Sequence, residues 1–220
     1  MKIVIVTDAW FPQVNGVVTT LNFLKKELEK QDYQVDIIHP SLCRTSSFSI
    51  YPEISLAMNP WKVKNYINED MDYLHIATEG PLGLFARNFA IRNNIQFTTA
   101  IHTKFPEYLK KILFIPLSLT YGYLRWFHGQ AHKTLVNTNS QIEELASIGF
   151  KNLVLWSRAI DRNIFYPRKN LYNKDYLLYV GRISKEKNLE DFLNLDTSKQ
   201  KIVVGSGPML NEYKKKYRTV

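Results

Sequence analysis

The chain has 220 residues, 45% of them hydrophobic and 22% charged, with 29 basic against 20 acidic side chains and a formal net charge of +9. That length gives one large domain or two small ones and a sizeable core, so disorder is not the default; the basic excess points to an anionic partner (nucleotide, phospholipid surface or nucleic acid) or to a lysine bias that only aids solubility. One cysteine, Cys43, excludes an intramolecular disulfide and a cysteine-based zinc cluster, and fits a reducing, cytosolic compartment.

Lys2 to Thr7 is a β-branched run that predicts a first, central strand. The N-terminus reaches Asp8 after only five apolar residues, Met1 among them, too short for a signal-peptide core. No stretch nears the ~20 apolar residues of a membrane span. A loop follows from Asp8 to Gly16. Val17, Leu21, Leu24 and Leu28 then recur at helical spacing. Tyr33 to His39 predicts a second strand, Leu42 to Pro52 a loop, Ile54 to Met58 a short strand and Trp61 to Ile67 a short helix. Tyr73 to Ala77 predicts a strand closed by T-E-G-P-L-G, Leu84 to Asn93 a helix, and Phe97 to His102 a strand. Phe105 to Gly129 predicts two helical pieces separated near Pro116. Strand, helix and strand follow at Thr134 to Thr138, Ser140 to Ser147 and Leu153 to Trp156. Strands alternating with helices predict a parallel sheet covered on both faces, an α/β fold.

Residues 158–174 change character, polar and basic with one proline, and read as a linker after a first domain of residues 1–157. A fresh βαβα starts within 175–220, at Tyr176. Its first strand, Y-L-L-Y-V, is an unbroken apolar run that predicts burial on both faces. Two strands do not make a complete parallel domain, so the second domain is expected to be partial.

The second unit holds the densest candidate site. Gly181 ends the strand, Arg182 and Lys187 flank a polar turn, and an amphipathic helix carries Leu189, Phe192 and Leu193. Open α/β sheets present ligand groups at such strand ends, and a planar fork of donors beside a point charge suits a diphosphate. The alternative is a βα turn whose cations are merely solvated.

Other positions are weaker alone. There is no G-x-G-x-x-G after the first strand and no Walker A loop. Asn15-Gly16 precedes a helix, where glycine permits close approach and the helix N-terminus favours an anion, or it is a plain capped turn. Gly205-Ser206-Gly207-Pro208 resembles half of a nucleotide loop, or is only a turn. His102 closes an apolar strand and suits a sugar hydroxyl or phosphate, or is structural. Glu79 suits a polyol hydroxyl, or caps a helix. Lys104 to His128 interleaves Lys110, Lys111 and Arg125 with seven aromatics, which suits an anionic bilayer surface or two core-packed helices.

Taken together, these pieces resemble the retaining glycosyltransferases of family 4, with the GT-B architecture of two Rossmann-like domains. Within them the resemblance runs to GDP-mannose-dependent mannosyltransferases and sulfoquinovosyl-diacylglycerol-synthase-like enzymes. The segments that carry it are T-D-A-W-F-P-Q-V-N-G-V-V, H-I-A-T-E-G-P-L-G, T-A-I-H-T-K-F-P-E-Y, Y-L-R-W-F-H, N-L-V-L-W-S-R-A-I-D, L-Y-V-G-R-I-S-K-E-K-N and V-V-G-S-G-P, in family order along nearly the whole chain. The resemblance implies a hexosyltransferase that moves a sugar, mannose foremost, from a nucleotide-diphospho-sugar such as GDP-mannose or a UDP-sugar. The implied acceptor is a membrane glycolipid or saccharide. It implies a cytoplasmic protein, peripheral on the inner face of the membrane, with no nucleic-acid partner, no cofactor and no metal.

By the same resemblance Arg182 and Lys187 grip the donor diphosphate, with Gly181 in the same turn. Asn15 and Gly16 meet the phosphates from the first domain, and Gly205 and Gly207 line the nucleoside end. His102 sits beside the donor sugar, Glu79 and Lys104 lie on the acceptor side, and Arg158 and Asp161 lie at the domain junction. Ala159 stands where the family has glycine, and the family's acidic motif falls beyond Val220. The other reading is therefore a catalytically incomplete fragment that acts at most as a binding module.

Overall fold

The β-branched run after Met1 forms β1 (Lys2–Val6). The chain turns through 7–15 into α1 (Gly16–Glu29) and returns as β2 (Gln34–Ile38). A hairpin of β3 (Thr45–Phe48) and β4 (Tyr51–Ala57) comes next, then a 3-10 turn at Pro60–Asn65. The alternation then resumes with β5 (Tyr73–Ile76), α2 (Pro81–Arg92), β6 (Phe97–Ile101), α3 (Leu117–His128), β7 (Lys133–Val136), α4 (Asn139–Ser147) and β8 (Leu153–Leu155). This computed structural model describes residues 1–48, 51–67, 70–102, 106–107, 110, 114–158, 160–167 and 175–217, in two units, Met1–Ala159 and Ile160–Val220.

Six strands of the first unit form one sheet in the order β2-β1-β5-β6-β7-β8, every neighbouring pair parallel. Parallel neighbours need crossovers, and crossovers are right-handed. The direction of travel reverses once, after β2, so α1 packs on one face and α2, α3 and α4 on the other. Side chains alternate accordingly along β1. Ile5 meets Leu21, Val35 and Ala77 on the α1 side. Val4 and Val6 meet Leu82, Ala86 and Phe127 on the other side. Phe127 is fully buried, and cutting a side chain of that kind to alanine costs ~3–5 kcal/mol. Ile101, Leu124, Val136, Leu145 and Phe150 extend the second layer under α4.

The second unit is β9 (Tyr176–Val180), a 3-10 turn at Lys185–Lys187, α5 (Leu189–Leu193), β10 (Gln200–Val204) and α6 (Leu210–Lys216), with β9 and β10 parallel. Ile183, Leu189, Leu193 and Tyr213 form its core.

Several expectations need correction. β1 is the second strand of six, and β5 and β6 are the central pair. The stretch expected as a loop from Leu42 to Pro52 contains β3 and the first two residues of β4. Thr45, Ser46 and Ser47 pair antiparallel with Ala57, Leu56 and Ser55, and short polar side chains hide a strand from any reading by hydrophobic period. The expected helix at Trp61 to Ile67 is a 3-10 turn. β9 is not buried on both faces: Tyr176, Leu178 and Val180 are 41%, 50% and 68% exposed. Helices α5 and α6 cover only the face that carries Tyr179 and Val203. Of the two helical pieces expected after Phe105, α3 is the second, and much of the first falls outside the described residues.

Candidate functional site

The reversal of strand order after β2 sets a crevice outside the carboxyl ends of β1 and β5, where open α/β sheets bind ligands. Asp8, just past β1, holds that edge together. Its Oδ1 accepts from the Leu82 N–H at 2.8 Å, and its Oδ2 from the Gly83 N–H at 3.3 Å and the Thr78 hydroxyl at 2.9 Å. The Asp8 N–H in turn donates to Thr78 Oγ1 at 2.7 Å. Asp8 therefore caps α2 from 74 residues away, and Gly80 and Pro81 supply no side-chain cap of their own. A Cβ on Gly80 would lie 2.5 Å from Asp8 Cγ, so only glycine leaves the carboxylate room. Burial pushes the Asp8 carboxyl up. The three hydrogen bonds oppose that rise, and the nearby charge of Glu79 adds to it.

Sequence reasoning missed Asp8 and read it only as the acid that ends an apolar run. An acid directly after a buried strand, beside the switch in strand order, is the signal that was there to use.

Glu79 follows β5. It is not the cap of α2, a task Asp8 performs. Its Oε1 lies 3.3 Å from Nε2 of His128, within ion-pair range but outside hydrogen-bond geometry. Its carbonyl accepts from the Tyr123 hydroxyl at 2.7 Å, and burial, with Glu79 and Asp8 nearby, pushes that phenol up to about 12. Behind Glu79, His128 is 2% exposed, its Nδ1 2.9 Å from Thr99 Oγ1, which meets Thr134 Oγ1 at 3.1 Å. The Glu79 carboxylate thus stands in front of a buried polar chain.

His102 follows β6 and shares the indole of Trp156 with His75. The ring centroids lie 5.9 Å from Trp156 for His102 and 6.2 Å for His75. The register explains the meeting: Thr98 pairs with His75, and alternate residues from there share a face of the sheet. His75 Nδ1 lies 2.9 Å from Thr98 Oγ1. Among the described residues, neither His75 Nε2 nor His102 Nε2 has a partner, and both are buried. Burial holds His75 down to about 4. Burial, then Arg158 and His75, holds His102 down to about 3.

Arg158 completes the cluster. Its Nη2 lies 3.2 Å from His102 Nδ1 and 3.1 Å from the His102 carbonyl oxygen. Its Nη1 would meet a Cβ on Gly16 at 3.4 Å, an ordinary contact. The guanidinium therefore stands at the first turn of α1, the positive end of the helix dipole. Asn15 is spent on that helix: its Oδ1 accepts from the Val17 and Val18 N–H groups at 3.0 Å each, and its Nδ2 donates to Gln13. The Thr19 N–H goes to the Asn15 carbonyl at 3.1 Å, so the Gly16 backbone is the part of this turn that a ligand can approach. The structure brings His102, Arg158 and Gly16 together. Lys104 lies outside the described residues.

In the second unit, two loops are laced together. The N–H of Gly181 donates to Val204 at 3.0 Å, that of Ile183 to Ser206 at 2.8 Å and that of Met209 to Ile183 at 3.1 Å. The Tyr179 hydroxyl donates to the Arg182 carbonyl at 3.0 Å. A Cβ on Gly205 would fall 1.8 Å from the Gly181 carbonyl oxygen, and one on Gly207 2.2 Å from that of Ile183. Gly205 and Gly207 are thus glycine because backbone lies on backbone there. The turn carrying Gly181, Arg182 and Lys187 and the turn carrying Gly205 and Gly207 form one rim, at the carboxyl ends of β9 and β10. Lys187 is exposed and ends the 3-10 turn, and Arg182 is half-buried. Asp161 builds a turn of its own, its Oδ1 accepting from the Asn163 N–H at 2.8 Å. Among the described residues, no group of three or more His, Cys, Asp or Glu side chains is arranged to hold a metal ion.

The first unit is thus a Rossmann-like α/β unit of the GT-B kind, with polar groups gathered at the carboxyl edge of its sheet. The family model of Glycosyltransferase Family 4 matches residues 14–163, and the chain belongs to that family. It is 21% identical to a GDP-mannose-dependent alpha-mannosyltransferase of Corynebacterium glutamicum, over 94% of this chain and 58% of that protein. It is 27% identical to an alpha-monoglucosyldiacylglycerol synthase of Streptococcus pneumoniae, over 97% of this chain and 58% of that protein. A GDP-mannose-dependent alpha-mannosyltransferase of Mycobacterium tuberculosis is 22% identical over 94% of the chain and 63% of its own length. The chain spans about three fifths of the length of these relatives.

Proposed function

We propose that the protein is a retaining hexosyltransferase that takes its sugar from a nucleotide-diphospho-sugar and passes it to a membrane glycolipid. The observation that carries this reading is a rim of backbone-packed glycines beside two cations in the second unit, in a chain of this family. When the sugar leaves, negative charge builds on the diphosphate oxygens. Fixed cations stabilise that charge more than they stabilise the bound donor, which is what lowers a barrier. Arg182 and Lys187 serve that task here, with no metal and no cofactor in the proposal. Gly205 and Gly207 keep the rim flat enough for the nucleoside to lie close. In the first unit, the Gly16 N–H at the start of α1 favours a phosphate oxygen, His102 stands by the sugar, and Glu79 takes the acceptor side.

Two of the relatives named above are mannosyltransferases and one is a glucosyldiacylglycerol synthase. These names support a hexose and a lipid-linked acceptor, mannose from GDP-mannose being the first choice. No helix among the described residues is long and apolar enough to cross a membrane. A peripheral approach is supported by exposed apolar groups at and before α3, Phe114 at 87% and Leu119 at 66%, in the basic-aromatic stretch. Part of α3 is core: Leu124 and Phe127 are buried, while the exposed Arg125 is bound to the Ile148 carbonyl at 3.0 Å.

The test is a transfer assay with GDP-mannose and UDP-glucose against diacylglycerol glycolipids in vesicles. Arg182→Ala and Lys187→Ala are each expected to cut turnover by ~10²–10³ with the fold intact, the loss typical of removing one group that stabilises developing charge. Near-parental turnover in either variant contradicts the diphosphate assignment. Sedimentation with vesicles of phosphatidylglycerol tests the membrane approach, and its absence there counts against a lipid acceptor.

A further inference from the structure

We propose that Arg158 is a positioning residue that fixes His102 as the neutral tautomer with its proton on Nε2, so that the imidazole offers an N–H donor to a ligand oxygen. A guanidinium nitrogen only donates. Arg158 Nη2, 3.2 Å from His102 Nδ1 and 3.1 Å from the His102 carbonyl oxygen, has two hydrogens to serve those two acceptors. Nδ1 must then present its lone pair. In a neutral ring the remaining proton sits on Nε2, the nitrogen that is buried and without a partner among the described residues.

A buried donor of this kind is costly unless something accepts from it. The Trp156 indole packs edge-on against the ring, with centroids 5.9 Å apart. A second proton is disfavoured by the groups that face the ring, Arg158 and His75, and by burial, which together hold its pKa down to about 3. His102 is therefore a hydrogen-bond donor and not a proton donor at neutral pH. Beside it, the Arg158 guanidinium reaches the first turn of α1. Ring N–H, guanidinium and the Gly16 N–H are all donors, and what suits them is an oxygen rich in lone pairs, a phosphate or a sugar hydroxyl. The identity of that ligand rests on the glycosyl-donor reading, whereas the tautomer does not.

Long-range proton–nitrogen correlation spectra of the nitrogen-labelled chain report which ring nitrogen of each histidine is protonated. The chain has five histidines, and a His102→Gln variant assigns the signal. The expected result is one tautomer at His102, protonated on Nε2, with no titration between pH 5 and 8. Arg158→Ala is expected to give a mixture of tautomers and to move the titration toward the ordinary histidine value of ~6.5, with the other four histidines unchanged. Arg158→Lys, which keeps a donor, is expected to restore part of the Nε2 form. A wild-type spectrum showing protonation on Nδ1 or a mixture overturns the proposal, and needs no variant to fold. So does an unchanged tautomer in a folded Arg158→Ala protein. GDP-mannose and UDP-glucose separate the two readings: a His102 signal that stays on Nε2 but ignores both compounds leaves the tautomer standing and removes the donor sugar as its ligand.

Discussion

Two imidazoles against one indole make the first unit sensitive to acid. His75 is held down to about 4 and His102 to about 3, against an ordinary value near 6.5. Both are depressed, so the unfolded chain binds more protons than the folded one between those values, and stability rises with pH there. The contribution is complete above ~6.5 and is lost as pH falls through 4. For His75 the difference amounts to roughly 3 kcal/mol, at ~1.4 kcal/mol per pKa unit. Urea midpoints measured from pH 7 to pH 4 are expected to fall, and His75→Gln is expected to flatten the slope by about one proton. Equal slopes in the two proteins contradict the assignment. Gly16 gives a different kind of test. A methyl group there meets Arg158 only at ordinary contact distance, so Gly16→Ala is expected to leave the melting temperature unchanged or slightly raised, as alanine is the better helix former. Nucleoside diphosphate affinity is expected to drop in the same protein. Unaltered affinity removes Gly16 from the ligand site.

At the scale of elements, α2 depends on a residue that does not belong to it. Asp8→Ala removes the acceptor of the Leu82 and Gly83 N–H groups and leaves them buried and unpaired. Loss of a cap and stranding of buried donors together cost about 2–4 kcal/mol. Hydrogen exchange is expected to quicken first at Leu82 and Gly83, ahead of the β6 amides, and uniform quickening across the sheet contradicts the capping role. In the second unit, Gly207→Ala drives a Cβ to 2.2 Å from the Ile183 carbonyl and must push the two loops apart. Local propensity explains much of the fold, and also where it was not legible. β1, α1, β5 and β6 follow from apolar runs and helical spacing, because their faces are buried by their own unit. β3 was hidden because Thr45, Ser46 and Ser47 are short polar residues with no apolar period. The cap of α2 was hidden because its partner lies 74 residues away, and nothing near Gly80 hints at it. β9 read as doubly buried because composition reports what a strand can cover, and α5 and α6 cover one face.

For the whole molecule, the sequence marked Arg182, Lys187, Gly205 and Gly207 through turn chemistry, and the coordinates explain the glycines by backbone contact. His102 and Arg158 were marked too, as a sugar contact and a junction residue. Their hydrogen bond was not legible, since 56 residues separate them. His75, His128 and Asp8 were missed for the same reason: each looks like a core residue until the neighbouring strand is in place. Membership in Glycosyltransferase Family 4 is carried by residues 14–163, nearly all in the first unit, whereas the cations assigned to the diphosphate are in the second. The central claim is that those cations bind the diphosphate, and calorimetric titration of the chain with GDP and UDP against GMP and UMP tests it most directly. The account predicts diphosphates bound at least ~10-fold tighter than monophosphates, a gap of ~1.4 kcal/mol, which closes in the Arg182→Ala, Lys187→Ala double variant. Equal affinity for mono- and diphosphates, or a gap that survives the double substitution, contradicts it.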